Sequence, residues 1–93
     1  MTNQKILNFF RDNLPHGRVY KIGNTTMTRE ELAGYLTGAL LESGGGYEVF
    51  SFYVQGVGEF DVVYSDKTLR INRVVLAEDG DYDWIACGFL RME

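Results

Sequence analysis

Residues 47–91 read YEVFSFYVQGVGEFDVVYSDKTLRINRVVLAEDGDYDWIACGFLR, and this stretch decides the fold. Apolar and polar residues alternate along most of it, which is the period of a strand with one buried face. Turn residues divide it into four segments, at about residues 47–55, 59–65, 68–77 and 82–91. The pattern therefore predicts a four-stranded antiparallel β-meander.

The turns between these segments also predict how the strands pair. A three-residue loop at residues 56–58 has glycine at its left-handed position and would place Val54 opposite Phe60. A two-residue loop at residues 66–67 extends the same face onto the third strand. The core side of the sheet is then expected to consist of Phe50, Phe52, Val54, Phe60, Val62, Tyr64, Leu69 and Ile71.

The last hairpin is predicted to be apolar on both faces. Asp79-Gly80 is a preferred type I′ dipeptide, and its two-residue loop would pair Val75 with Trp84 on the core side. Arg73 also falls on that side, which requires a β-bulge or a guanidinium that reaches the sheet margin. Either the opposite side is an interface, or the first helix or residues 18–22 cover it. That side comprises Val74, Leu76, Ile85, Cys87 and Phe89.

Two helices are predicted before the meander. In residues 3–13 the apolar side chains recur every three or four positions, and Pro15 ends this helix. Thr28 and Glu31 have the spacing of a capping box, which predicts a second helix over residues 29–43. The apolar face of that helix is expected to hold Leu32, Tyr35, Leu36, Ala39 and Leu40.

The remaining segments complete the predicted order of elements. Gly44–Gly46 provides residues that adopt the left-handed conformation at a helix C-terminus. Residues 18–22 indicate a possible short extra strand. We therefore expect a single α+β domain over residues 1–93, with two helices packed on one face of the four-stranded antiparallel β-meander.

Charge is distributed unevenly along the chain. The formal net charge is −4, yet residues 48–93 carry nine Asp or Glu and only four Lys or Arg, a net charge of −5 for that half. Binding to nucleic acid draws on clustered Lys and Arg, and no such cluster is present. Direct nucleic-acid binding is therefore disfavoured, and a protein partner with a basic surface is favoured.

Cysteine usage and hydropathy predict a cytoplasmic protein without a membrane span. Cys87 is the only cysteine, so no disulfide can form within the chain, and a lone thiol is expected to pack as a small buried hydrophobe. Residues 1–5 do not lead into a signal-peptide apolar region. No stretch approaches the roughly 20 apolar residues of a membrane-spanning helix.

Few residues indicate catalysis or metal binding, and no catalytic residue, cofactor or metal is assigned. His16, the only histidine, is far in sequence from Cys87. Asp79, Asp81 and Asp83 alternate like calcium ligands, but the glycine and glutamate of an EF-hand are missing. A solvated acidic turn is the favoured interpretation, with a weak cation site as the alternative. A shallow ligand-binding or enzymatic site also remains open, lined by Tyr64, Arg73 and Trp84.

Acidic and aromatic residues together predict a surface that binds protein. Carboxylates steer association with basic partners, and Tyr and Trp are enriched among interface hot spots. The expected partner-binding residues are Tyr53, Glu59, Asp61, Glu78, Asp79, Asp81 and Asp83. The predicted function is that of a small, acidic, non-enzymatic protein-binding domain.

The most specific form of this prediction is an inhibitor from a phage or mobile element. Such a protein, for example an anti-CRISPR or similar anti-defence protein, would block a basic surface of a host nucleic-acid-handling complex. Its carboxylates would take the place of phosphates as nucleic-acid mimics. The alternative is a structural or regulatory homodimer that associates through the last β-hairpin.

Overall fold

One antiparallel sheet and two helices make up residues 3–43 and 46–91, which are the residues that the computed structural model describes. The elements are α1 (Asn3–Asn13), β1 (Tyr20–Ile22), β2 (Thr25–Met27), α2 (Arg29–Glu42), β3 (Glu48–Val54), β4 (Gly58–Ser65), β5 (Thr68–Leu76) and β6 (Tyr82–Arg91). The strand order is β2-β1-β3-β4-β5-β6. The α+β class is confirmed, and the sheet has two more strands than the predicted meander.

The additional strands form a short hairpin at one edge of the sheet. β1 lies within the possible strand predicted at residues 18–22, whereas β2 was not predicted. Tyr20 of β1 pairs with Met27 on one side and with Val54 of β3 on the other. Each of these strands has three residues, which is too short for an alternating pattern to stand out in the sequence.

The β3–β4 hairpin has the predicted faces but a shifted register. Val54 lies opposite Gly58, so the predicted pairing of Val54 with Phe60 is wrong by two residues. The loop consists of residues 55–57, and the Val57 amide donates to the Val54 carbonyl at 3.0 Å. A shift of two residues leaves every side chain on its original face. The predicted core side therefore still faces the helices, with Phe52, Val54, Phe60 and Val62 all buried.

The β4–β5 hairpin is confirmed in its register. Tyr64 pairs with Leu69, and Val62 pairs with Ile71. The two-residue loop has φ values of +53° at Asp66 and +62° at Lys67, as a type I′ turn requires. Neither residue is glycine, so the turn depends on cross-strand pairing to hold these left-handed conformations.

The β5–β6 hairpin contains a β-bulge that the prediction did not place. Near the base of the hairpin Ile71 pairs with Gly88, but Asn72 pairs with Ala86, which leaves Cys87 as an extra residue in β6. Beyond the bulge Val74 lies opposite Trp84, so the predicted pairing of Val75 with Trp84 is wrong. The connecting loop is longer than the predicted dipeptide and spans residues 77–81.

Both helices pack on the same side of the sheet and enclose the core. α1 begins and ends as predicted, and the capping box of α2 is formed, with the Thr28 hydroxyl accepting from the Glu31 amide at 3.1 Å. Neither helix, within the part of the chain described, has the length and apolar character needed to cross a bilayer. The buried core consists of Ile6, Phe9, Phe10, Leu14, Tyr20, Leu32, Ala33, Leu36, Leu40, Phe52, Val54, Phe60, Val62, Leu69 and Ile71.

The buried face of α2 differs from the predicted face. Ala33 and Thr37 are buried, while Tyr35 is 45% exposed and Ala39 is only partly buried. Thr37 can turn inward because its hydroxyl donates to the Ala33 carbonyl at 2.7 Å within the helix. The helix is capped at Ser43, and Gly44 and Gly45 of the predicted cap lie outside the described residues.

Tyr20 connects β1 to the residues that follow α1. Its ring is fully buried against Phe52, and its hydroxyl donates to the Pro15 carbonyl. Burial of the phenol raises the pKa of Tyr20, and Arg29 opposes that shift in part. Arg29 also donates to the Leu14 carbonyl at 3.0 Å, so α1, β1 and α2 meet at one place.

Candidate functional site

The side of the sheet without helices, here called the open face, carries large exposed apolar and aromatic side chains. The strand register places these residues there, because their neighbours in sequence face the helix-covered core. Their exposed fractions run from 42% to 68%. Contiguous exposed apolar surface is a common feature of interaction sites, which makes the open face the candidate site of this domain. Its large exposed members are Val49, Tyr53, Leu76, Tyr82, Trp84 and Phe89.

The bulge at Cys87 divides the apolar patch predicted on the last hairpin. Val74, Leu76 and Phe89 lie on the open face, but Ile85 pairs with Arg73 and faces the helix side. Cys87 itself is exposed, which corrects the expectation of a buried thiol; the extra residue of a bulge is left out of the strand pairing. Tyr82 and Trp84 replace the lost members, while Arg73 stays on the helix side, where its guanidinium donates to the Val57 carbonyl.

A row of short side chains, here called the central trough, crosses the open face. It consists of Ser51, Asp61, Asn72 and Ala86, which pair in that order from β3 to β6. Larger residues flank it on both sides, so the middle of the row is sheltered: Asp61 is 7% exposed and Asn72 is 8% exposed. The flanking rows are Tyr53, Glu59, Val74 and Trp84 on one side, and Val49, Val63, Arg70 and Phe89 on the other.

The acidic residues predicted to bind a partner do not all share one surface. Tyr53, Glu59 and Asp61 are neighbours on the open face. Asp83 pairs with Val75 and faces the helix side of β6. Three others belong to the loop after β5, where the Asp81 amide donates to the Asp79 carboxylate at 3.1 Å. The loop residues are Glu78, Asp79 and Asp81, and all three are exposed.

The carboxylates of the open face have no cationic partner in the described chain. Ion pairs in residues 3–43 and 46–91 join Arg11 to Asp12 and Arg29 to Glu30, both away from the sheet. Asp61 Oδ1 is buried without any hydrogen-bond partner. The same residues hold no cluster of three or more His, Cys, Asp or Glu side chains that could bind a metal ion. The open face therefore presents carboxylates outside ion pairs beside aromatic surface, together with Lys21, Arg70 and Arg91, which the register places on the same face.

Residues considered for a ligand site or for catalysis are not brought together. Tyr64 and Arg73 are on the helix side, where the Arg73 guanidinium donates to the Val57 carbonyl at 2.8 Å, whereas Trp84 is on the open face. His16 is in the turn before β1 and lines a surface pocket with the start of α2, whereas Cys87 is on β6 and does not line that pocket. This arrangement provides neither a shared pocket nor a nucleophile beside a base.

No family model, curated protein or solved structure matches this chain. The open face therefore has to be interpreted from its own residues. Its exposed aromatic rings are of a type enriched at protein interfaces, and its sheltered carboxylate lies beside them.

Proposed function

We propose that this chain is a small, non-enzymatic protein-binding domain that uses its open face to contact a partner with a basic surface. The observation that carries the proposal is the exposed aromatic and apolar face, which adjoins carboxylates without cationic partners. Burial of this face against a partner would remove apolar area from water, and cations of the partner would pair with the acidic groups.

Trp84 and Tyr82 are suited to be the anchors of such an interface. Both are more than half exposed, and they lie on neighbouring positions of the same side of β6. Large aromatic side chains contribute most to binding when a partner excludes water from them. The acidic loop at residues 78–81 extends from the same hairpin, so it would increase the rate of encounter with a positively charged protein.

The specific form of the proposal is an inhibitor, encoded by a phage or mobile element, of a host nucleic-acid-handling complex. Support comes from the sign and position of the charges, since the acidic loop and Glu59 present carboxylates where a basic groove would bind phosphates. An anti-CRISPR or similar anti-defence protein would work in this way. Excess nucleic acid should then compete with the domain for its partner.

Affinity capture with open-face variants tests the proposal. We expect the immobilised wild-type protein to retain a partner from native host lysate. The immobilised Trp84→Ser variant should lose that partner, because truncation of an aromatic anchor reduces affinity by about 30-fold or more. Tyr35→Ser is the matched control, since Tyr35 is 45% exposed on α2, away from the open face. The retained proteins would be identified by mass spectrometry, with and without added salt and duplex nucleic acid.

Two results would count against this proposal. If Trp84→Ser retains the same proteins as the wild type, the open face is not the binding surface. If the captured protein resists both high salt and excess nucleic acid, the nucleic-acid-mimic form is excluded even where the binding itself stands.

A homodimer is the second candidate, and the free edge of β6 favours it. β6 has ten residues and pairs only with β5 among the described strands, so its outer hydrogen-bonding groups are open to another strand. Asp83 lies near one end of β6 and Arg91 at the other. The two side chains face opposite sides of the sheet, since Asp83 pairs with Val75 on the helix side and Arg91 with Thr68 on the open face, so antiparallel pairing of two copies would rest on backbone hydrogen bonds between the β6 edges.

Sedimentation velocity at micromolar concentration tests the dimer. A dimer has twice the 10.6 kDa mass of the chain. We expect the sedimenting mass to approach that value as the concentration rises, because pairing of two β6 edges is a bimolecular association. A monomer at every concentration would rule out this candidate.

A further inference from the structure

We propose that the central trough receives an arginine side chain of the partner protein, with its guanidinium paired to Asp61. This inference rests on the proposed function and adds the chemical group that the open face recognises. Asp61 is 93% buried on a face that no helix covers, and its Oδ1 has no hydrogen-bond partner.

A sheltered carboxylate without a partner is unfavourable in the free protein. Burial removes water from the charged group, and only a cation or a set of donors can compensate for that loss. Two cations border the trough by register: Arg70 on the flanking row of β5 and Lys21 on β1 beyond Tyr53. Neither forms an ion pair with Asp61, so its charge is unpaired; because Oδ1 is fully buried, an incoming guanidinium must displace the flanking side chains to reach it.

The residues beside Asp61 favour a guanidinium over other cations. Ser51, Asp61 and Asn72 lie on adjacent strands spaced about 4.8 Å apart, so a hydroxyl, a carboxylate and an amide oxygen form a line of acceptors. Arginine carries five N–H donors in one plane, which matches several acceptors at once. An ammonium group has a compact charge and would match fewer of them.

Tyr53 and Glu59 complete the proposed subsite. Tyr53 is diagonal to Asp61 and 49% exposed, so its ring is free to stack on a guanidinium. Glu59 precedes Asp61 by two residues on the same face, which places a second negative charge about 7 Å along the strand. Two carboxylates without a third ligand are too few for a divalent metal ion, and this also favours an organic cation.

An NMR titration with short peptides tests the inference. The probes are acetyl-Gly-Arg-Gly-amide and its citrulline counterpart, which has the same shape without the charge, both at low ionic strength. We expect the arginine peptide alone to shift the amide signals of Ser51, Asp61 and Asn72 in a saturable manner. The dissociation constant should be on the order of 10 mM, as for a single side chain.

Asp61→Asn and Asp83→Asn are matched variants for this titration. Each removes one negative charge from the sheet, but Asp83 is exposed on the helix side. Asp61→Asn should weaken binding of the arginine peptide by about 10-fold or more, whereas Asp83→Asn should leave it unchanged. Asp61→Asn should also keep or raise the melting temperature, because it removes an uncompensated buried charge.

Three results would overturn the inference. The first is an absence of shifts at the three trough residues, and the second is equal binding by Asp61→Asn. The third is a fall of several degrees in the melting temperature of Asp61→Asn, which would show that a cation of the chain, such as Arg70, already pairs with Asp61. Glu59→Gln provides a second variant, with a smaller expected loss of peptide binding, should Asp61→Asn fold poorly.

The results of the titration and the affinity capture together distinguish failure of the arginine subsite from failure of the proposed function. Peptide binding at the trough together with unchanged capture by Trp84→Ser would contradict the use of the open face for protein binding and leave the arginine subsite intact. Capture that depends on Trp84 without peptide binding at the trough would support the function and refute the subsite.

Discussion

Leu36→Ala is expected to lower the free energy of unfolding by about 2–5 kcal/mol. Leu36 is fully buried on the side of α2 that faces the sheet, between Leu32 and Leu40. The substitution removes three heavy atoms from a close-packed site and leaves a cavity, because the neighbouring core side chains can relax only in part. For a domain whose total stability is about 5–15 kcal/mol, this is a large fraction.

Urea denaturation followed by circular dichroism measures this loss. Backbone signal is preferable to fluorescence because Trp84, the only tryptophan, is 56% exposed and would report weakly on the core. Leu41→Ala is the control: Leu41 is in the same helix but 47% exposed, and we expect a change within about 0.5 kcal/mol. Equal losses for the two variants would contradict the assigned packing of α2.

Gly88→Ala is expected to lower the free energy of unfolding by about 1–3 kcal/mol through steric overlap. A Cβ at Gly88 would lie 2.6 Å from Oδ1 and 2.7 Å from Cγ of Asn13, on the helix-covered side of β6. Asn13 is held there, since its side-chain amide donates to the Phe9 carbonyl at 2.8 Å. To make room, either this hydrogen bond must break or α1 must move away from β6.

A double-mutant cycle with Asn13→Ala isolates this overlap. Asn13→Ala removes the atoms that the new methyl group would meet, so adding Gly88→Ala to it should cost far less than adding Gly88→Ala to the wild type. The four unfolding free energies would be obtained by urea denaturation. An additive cycle would show that Asn13 does not determine the cost at Gly88 and that α1 does not contact β6 as described.

Much of the fold was predictable because local signals in the sequence agree with one another. The capping box at Thr28 determined where α2 begins, and the dipeptide Asp66-Lys67 determined the register of β4 and β5. The predicted register of the β3–β4 hairpin was wrong by two residues, but the predicted core side of both strands was still right, because a shift of two residues leaves every side chain on its original face. The three-residue strands β1 and β2 were less predictable, since tertiary pairing with β3 stabilises them rather than any pattern of their own.

The candidate site was predicted less well, and one inserted residue explains most of the difference. The bulge at Cys87 moves Ile85 to the helix side and brings Trp84 to the open face. No residue type in this segment specifies a bulge, and Arg73 was no clue to it, since Arg73 keeps its predicted side and donates to the Val57 carbonyl. The shelter of Asp61 also depends on cross-strand neighbours, which the sequence of β4 alone does not specify.

The order of strands also affects how the chain assembles. β3 to β6 are joined by consecutive hairpins, so each pairing closes only a short loop. Pairing of β1 with β3 instead closes the whole segment between Tyr20 and Val54, which contains α2. Such long-range closure is the slow step in small mixed domains, and the meander is therefore expected to form early and the β1–β2 edge to dock late.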